Sequence, residues 1–83
     1  LVPPALEPVA IVRACGLTRR EAEVAALLAA GATNAEVAAA LALSPHTVRH
    51  HTERVLARLG VHTRRAVRAA VLARLADGAP PVA

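Results

Sequence analysis

Apolar residues recur along the chain at the three- and four-residue spacing of helices that bury one face. The residues that carry this spacing are Val24, Leu27 and Leu28; Val37 and Leu41; Val48, Val55, Leu56 and Leu59; and Val67, Val71 and Leu75. Each group forms a stripe on one side of a helix. The pattern therefore predicts four helices that share one core.

Capping residues mark where these helices begin. Thr18 with Glu21, and Thr33 with Glu36, have the spacing of a capping box, in which a hydroxyl and a carboxylate satisfy two otherwise unpaired backbone N–H groups. Ser44 precedes Pro45, which places a capping hydroxyl before a proline in the first helical turn. Thr63 is placed to cap a last helix.

Glycines and prolines mark where the helices end. Gly31, Gly60 and Gly78 fall where a left-handed residue would end a helix, and Pro80 and Pro81 prevent continuation. The predicted helices are therefore 18–30, 34–42, 45–59 and 63–77, with a short additional helix near 5–14.

The composition fits one small all-α domain. The 83 residues include no Phe, Trp or Tyr, so the core must consist of Leu, Val, Ile and Ala. The single cysteine, Cys15, cannot form an internal disulfide, so we expect a small buried residue in a reducing cytoplasm.

No apolar run reaches the roughly 18 residues of a membrane span, and we expect no membrane partner. Because the sequence does not begin with Met, we expect a piece of a longer chain with a regulatory domain on its N-terminal side.

Positive charge is concentrated in the second half of the chain. Residues 1–43 contain three Arg and four Glu, whereas residues 44–83 contain seven Arg against one Glu and one Asp. A surface with this excess attracts a polyanion. Arginine enrichment without a functional meaning is the alternative on composition alone.

The connection between the second and third predicted helices is very short, with Leu43 and Ser44 at its centre. Such a link makes two helices cross steeply, as in a helix-turn-helix.

Helix 45–59 has two distinct faces. The residues expected to face inward are Val48, Thr52, Val55, Leu56 and Leu59, and those expected to face outward are His46, Arg49, His50, Glu53, Arg54 and Ala57. Arg49 lies in the first two turns, where its guanidinium can donate two hydrogen bonds to a guanine. His46, Thr47 and Arg54 are expected at phosphates.

Four runs of residues together resemble the LuxR-type, or GerE-like, helix-turn-helix family. The runs are 16–24, 30–38, 43–51 and 59–64, in the family's order and spacing, and the resemblance covers about residues 16–77. It implies a four-helix DNA-binding domain, which we place at 16–78. Residues 1–15 lie outside the resemblance and are expected to form a linker or short N-terminal helix, and residues 79–83 a C-terminal tail. The third family helix would enter the major groove and the fourth would mediate dimerisation.

The resemblance also implies roles for individual residues. Arg49 matches the family's basic base-contacting position, and His50 and Glu53 match variable positions that help set sequence preference. Thr33, Asn34 and Thr47 match positions near the sugar-phosphate backbone. Glu53 often has a basic or neutral counterpart, so its carboxylate must accept from a cytosine amine or pair with Arg49 or Arg54. The polar Thr52 replaces a usual aliphatic residue and should slightly loosen the packing of the helix.

The outward side of helix 63–77 predicts a second surface. Leu72 lies there with Ala69 and Ala73, next to Arg65 and Arg68. In a domain that binds two half-sites, these residues would form an isologous dimer patch. Because the patch is small, a weak homodimer on a palindromic operator is expected.

These features predict the sequence-specific double-stranded DNA-binding output domain of a bacterial transcriptional regulator, cytoplasmic and nucleoid-associated, with RNA polymerase as a further partner. The alternatives are a sigma-factor-like promoter-binding domain and a helical protein-docking module.

No catalytic motif is present, and neither a cofactor nor a metal is expected, since the pair His46 and His50 lacks further ligands nearby in the sequence. Glu21 is expected to pair with an arginine such as Arg64.

Overall fold

Five α-helices form the fold of the computed structural model, which describes residues 7–77. They are α1 (Pro8–Cys15), α2 (Arg19–Ala29), α3 (Asn34–Leu41), α4 (Pro45–Leu59) and α5 (Arg65–Asp77). Residues 7–77 contain no strand, which confirms the all-α fold class. The start of the predicted helix 5–14, the predicted stop at Gly78, Pro80 and Pro81, and the tail 79–83 lie outside the described residues.

All three predicted caps before α2, α3 and α4 are present. Thr18 and Glu21 exchange two hydrogen bonds of 3.1 Å between side chain and backbone. Thr33 and Glu36 do the same at 3.1 and 2.8 Å. Ser44 Oγ accepts from the backbone N–H of Thr47 at 3.1 Å. These caps fix the starting residues of three of the five helices.

Five helix bounds differ from the predicted positions by one or two residues, among them the end of α1 at Cys15 and both bounds of α2, Arg19 and Ala29. Helix α3 ends at Leu41, because Ala42 adopts a left-handed conformation with φ 56° and ψ 44°. Helix α5 begins at Arg65, so the residue before it is Arg64 and not Thr63. The prediction that Thr63 caps this helix is therefore wrong: the backbone carbonyls of Thr63 and Arg64 accept from Ala66 and Val67 in a tight first turn.

Helix α2 is the centre of the domain and packs against each of the other four helices. Its buried residues join apolar side chains from all of them in one core. The fully buried large apolar residues are Ile11, Val24, Val37, Val48, Val55, Val67 and Val71. Leu27, Leu41, Leu56 and Leu75, predicted in the same stripes, are half-buried and pack against that core.

The short α1 contributes to the same core. Ile11 and Cys15 are buried, and the helix packs against α2 and α5. Burial raises the pKa of the Cys15 thiol, an effect that the nearby positive charge of Arg74 partly opposes. The thiol is therefore held in its neutral form.

One buried carboxylate connects α2 to α4. Glu21 is only 2% exposed, and its Oε1 lies 3.3 Å from Arg58 Nε. Arg58 Nη1 also donates to the Gly16 carbonyl at 3.5 Å. The expectation that Glu21 pairs with Arg64 is corrected to Arg58, because the side chain of Arg64 bonds to other groups at the start of α3.

No helix within residues 7–77 is both long enough and apolar enough to span a lipid bilayer.

Candidate nucleic-acid interface

A tight turn joins α3 to α4. Only residues 42–44 separate the two helices. Ala42 reverses the chain in its left-handed conformation, the Leu43 N–H donates to the Ala38 carbonyl at 3.0 Å, and Ser44 caps α4. The turn and the packing of α3 on α4 fix how α4 is presented to solvent.

Helix α4 has one buried and one exposed face, divided as its sequence predicts. Val48, Thr52, Val55 and Leu59 are buried and Leu56 is half-buried. All six residues of the predicted outward face are exposed: His46, Arg49, His50, Glu53, Arg54 and Ala57. Arg49 therefore projects from a helix that is anchored along its whole length, which is the geometry that base contact requires. The contact itself stays a prediction.

The first turn of α4 carries several hydrogen-bonding groups. Ser44 Oγ donates to Thr47 Oγ1 at 2.9 Å, so the hydroxyl hydrogen of the half-buried Thr47 remains available to another acceptor. The imidazole rings of His46 and His50 meet edge to face, with centroids 4.8 Å apart. No group of three or more His, Cys, Asp or Glu residues suited to a metal ion lies within residues 7–77.

Glu53 lies on the outward face between two arginines. Within the described chain its carboxylate forms no ion pair with Arg49 or Arg54. The intramolecular pairing that would neutralise the carboxylate is therefore absent among the described residues, and the role that remains predicted for it is to accept a hydrogen bond from a cytosine amine.

The start of α3 lies beside the start of α5. Thr33 is exposed, and Asn34 is half-buried. Arg64 Nη1 donates to Asn34 Oδ1 at 2.8 Å, and Arg64 Nη2 donates to the Ala32 carbonyl at 2.7 Å. Sequence reasoning missed this link, since nothing in the local pattern pairs residues 30 positions apart.

The predicted dimer residues share the outer side of α5. Arg65, Ala69, Leu72 and Ala73 are all exposed, and Leu72 is 37% exposed. Arg68, on the same side, donates to the Ala29 carbonyl at 3.4 Å. Helix α1 packs against α5 while these four residues stay uncovered.

Two helices joined by a tight turn, the second of which exposes a basic face, define a helix-turn-helix DNA-binding domain. The family model described as bacterial regulatory proteins of the luxR family, GerE, matches residues 16–73, and the chain belongs to that family. This confirms the resemblance seen in the sequence. The family is one of DNA-binding regulators and not of enzymes. No curated protein and no solved structure is significantly similar to the chain.

Proposed function

We propose that this domain binds double-stranded DNA sequence-specifically as the C-terminal output domain of a bacterial transcriptional regulator, with α4 in the major groove. The observation that carries the proposal is the exposed Arg49 on the first turns of α4, a helix held in place by its buried opposite face. The family match, which includes the run 59–64, favours this function over a sigma-factor-like promoter-binding domain.

The residues of the exposed face have separate roles in this proposal. Arg49 donates to a guanine, and His50 and Glu53 set preference at neighbouring bases. Thr33, Asn34, His46, Thr47 and Arg54 contact the phosphate backbone and fix the register of α4. The available Thr47 hydroxyl hydrogen supports its part, because a phosphate oxygen is an acceptor.

A second copy of the domain binds through α5 in the same proposal. Leu72, Ala69 and Ala73 form the apolar part of the contact, and Arg65 lies at its edge. A two-fold arrangement of this kind matches a palindromic operator. The small size of the patch supports a weak homodimer that forms on DNA in the cytoplasm, at the nucleoid, where RNA polymerase is a further partner.

Selection of bound duplexes from a random pool tests the proposal directly. An enriched palindrome is expected. With the selected duplex, Arg49→Ala should abolish the preference over a scrambled duplex, whereas Arg54→Ala should weaken both duplexes alike and reduce the slope of log affinity against log salt by about 1. If no sequence is enriched and affinity does not depend on salt, the domain is a protein-docking module instead.

A further inference from the structure

Arg64 reaches from the residue before α5 to the first residue of α3. Its guanidinium donates from Nη1 to Asn34 Oδ1 at 2.8 Å and from Nη2 to the Ala32 carbonyl at 2.7 Å. Two of its nitrogens are thus bonded to acceptors that lie on either side of Thr33. These two bonds hold the turn before α3 against the start of α5.

The bond to Arg64 determines which way the Asn34 amide faces. A guanidinium has only N–H donors and no acceptor, so the amide must present its oxygen to Arg64. The Nδ2 group, with two N–H donors, then lies on the other side of the amide. No acceptor among residues 7–77 forms a hydrogen bond with Nδ2. Asn34 therefore offers a donor of fixed orientation.

The proposed function assigns Asn34 to the DNA backbone. Asn34 is the first residue of α3 and follows Thr33, and both residues are assigned to the phosphate backbone in the proposed function. A phosphate oxygen accepts hydrogen bonds only, so an amide turned the other way would present its own oxygen to the phosphate and repel it.

We propose that Arg64 is a positioning residue for DNA binding, which holds the Asn34 amide so that Nδ2 donates to a backbone phosphate. This inference rests on the proposed function. Arg64 acts through Asn34, since its own bonds are directed to protein oxygens. The loss of Arg64 would leave the amide able to rotate and the turn at Ala32 unsupported.

A double-mutant cycle on the selected duplex tests the coupling. Asn34→Ala should weaken binding about fivefold, the equivalent of one hydrogen bond. Arg64→Ala should weaken it at least as much, and adding Asn34→Ala to Arg64→Ala should have little further effect. The salt slope of Arg64→Ala should equal that of the wild type. If the two losses multiply, or if the slope falls by about 1 as for a direct phosphate contact, Arg64 binds DNA by itself and the inference is wrong.

Asn34→Asp tests the donor without depending on Arg64→Ala folding well. The carboxylate still accepts from Arg64, and a negative charge at the start of a helix is favourable, so the unfolding temperature should not fall. DNA affinity should fall about tenfold or more, because the donor is lost. The matched control is Ala35→Asp, which adds the same charge at the next, exposed residue and should cost at most about threefold. Equal losses in the two variants would show that the amide donor has no role.

The outcomes separate this inference from the function on which it rests. A wild-type domain that selects no sequence contradicts the proposed function. A wild-type domain that selects a palindrome, together with an additive cycle, contradicts only the role of Arg64.

Discussion

The ion pair between Arg58 and Glu21 allows an experiment that separates folding from DNA binding. Arg54 and Arg58 lie one turn apart on α4, and both are exposed. Only Arg58 contacts the buried carboxylate of Glu21, with Nε 3.3 Å from Oε1. Replacing either arginine by alanine removes the same charge from the same helix. We expect Arg58→Ala to lower the stability of the fold and Arg54→Ala to lower the affinity for DNA.

The size of the stability loss follows from the surroundings of Glu21. Its Oε1 accepts from Thr18 N at 3.1 Å and from Arg58. Without Arg58, a carboxylate that is 2% exposed keeps one neutral donor. Removing one partner of a fully buried ion pair costs about 3–5 kcal/mol. The side chain of Arg58 is 49% exposed, so solvent screens the pair and water can replace the guanidinium. We therefore expect a loss of about 1–2 kcal/mol.

Thermal unfolding followed by circular dichroism measures this loss. In a domain of this size 1 kcal/mol corresponds to a shift of about 4–8 °C in the melting temperature. Arg58→Ala should therefore melt roughly 4–16 °C lower, and Arg54→Ala should stay within about 0.5 kcal/mol of the wild type. At a temperature at which both variants are folded, Arg58→Ala should keep the wild-type slope of log DNA affinity against log salt. In Arg54→Ala the magnitude of this slope should be smaller by about 1.

A second substitution tests the reason for the loss. Glu21→Gln removes the buried charge and keeps an oxygen that can accept from Thr18 N. In the Arg58→Ala background it should restore part of the lost stability, since no unpaired charge then remains buried. An unchanged melting temperature for Arg58→Ala, or a further decrease on adding Glu21→Gln, would refute the argument that the carboxylate depends on Arg58.

Three further predictions concern single positions. Ala42→Gly should raise the free energy of unfolding, measured in urea, by about 0.5 kcal/mol. Glycine adopts the left-handed φ of 56° without the roughly 1–2 kcal/mol that a Cβ costs there, and the greater entropy of the unfolded glycine chain offsets only part of this gain. A decrease in stability would contradict this reasoning. Leu72→Glu should leave monomer stability within about 0.5 kcal/mol of the wild type and reduce affinity for a palindrome relative to a half-site; an unchanged ratio would exclude the α5 dimer. Because the pKa of the folded Cys15 thiol is raised by burial, stability should be constant below the unfolded thiol pKa of about 8.5 and fall above it by at most about 1.4 kcal/mol per pH unit. The sequence has no Lys or Tyr, so Cys15→Ala should remove this alkaline decrease, and an equal decrease in that variant would assign it elsewhere.

The features that the sequence predicted well depend on residues close together in the chain. A capping box needs only a hydroxyl and a carboxylate three positions apart, and Thr18 with Glu21 forms one. The exposed face of α4 follows from helical periodicity within residues 45–59, which is why the outward residues could be assigned correctly. The end of α3 was missed by one residue because Ala42, which lacks the usual glycine signal, is forced into a left-handed conformation by the tight turn before α4.

The partners of the charged residues could not be predicted, because they depend on how distant helices meet. Periodicity shows that Arg58 and Arg64 lie near the surface, but it does not distinguish which of them reaches Glu21. The packing of α4 and α5 on α2 decides this: it brings Arg58 to Glu21, and Arg64 bonds to Asn34 instead. For the same reason the orientation of the Asn34 amide was beyond sequence reasoning, although Asn34 itself was assigned to the interface.

The internal partners of these arginines also limit how many arginines in residues 44–83 are free to contact DNA phosphates. Residues 44–83 contain seven arginines, but Arg58 is neutralised by Glu21, and Arg64 and Arg68 direct N–H groups to protein oxygens. Three exposed arginines of this half form no hydrogen bond or ion pair within residues 7–77: Arg49, Arg54 and Arg65. Log affinity falls by about 0.9 per phosphate neutralised for each unit of log salt. The measured slope should therefore reflect Arg49 and Arg54, which lie on the outward face of α4, rather than the net charge, since Arg65 is assigned to the dimer contact. A slope that accounts for all seven arginines would mean that DNA breaks the internal pairs, including the one that holds α4 to α2.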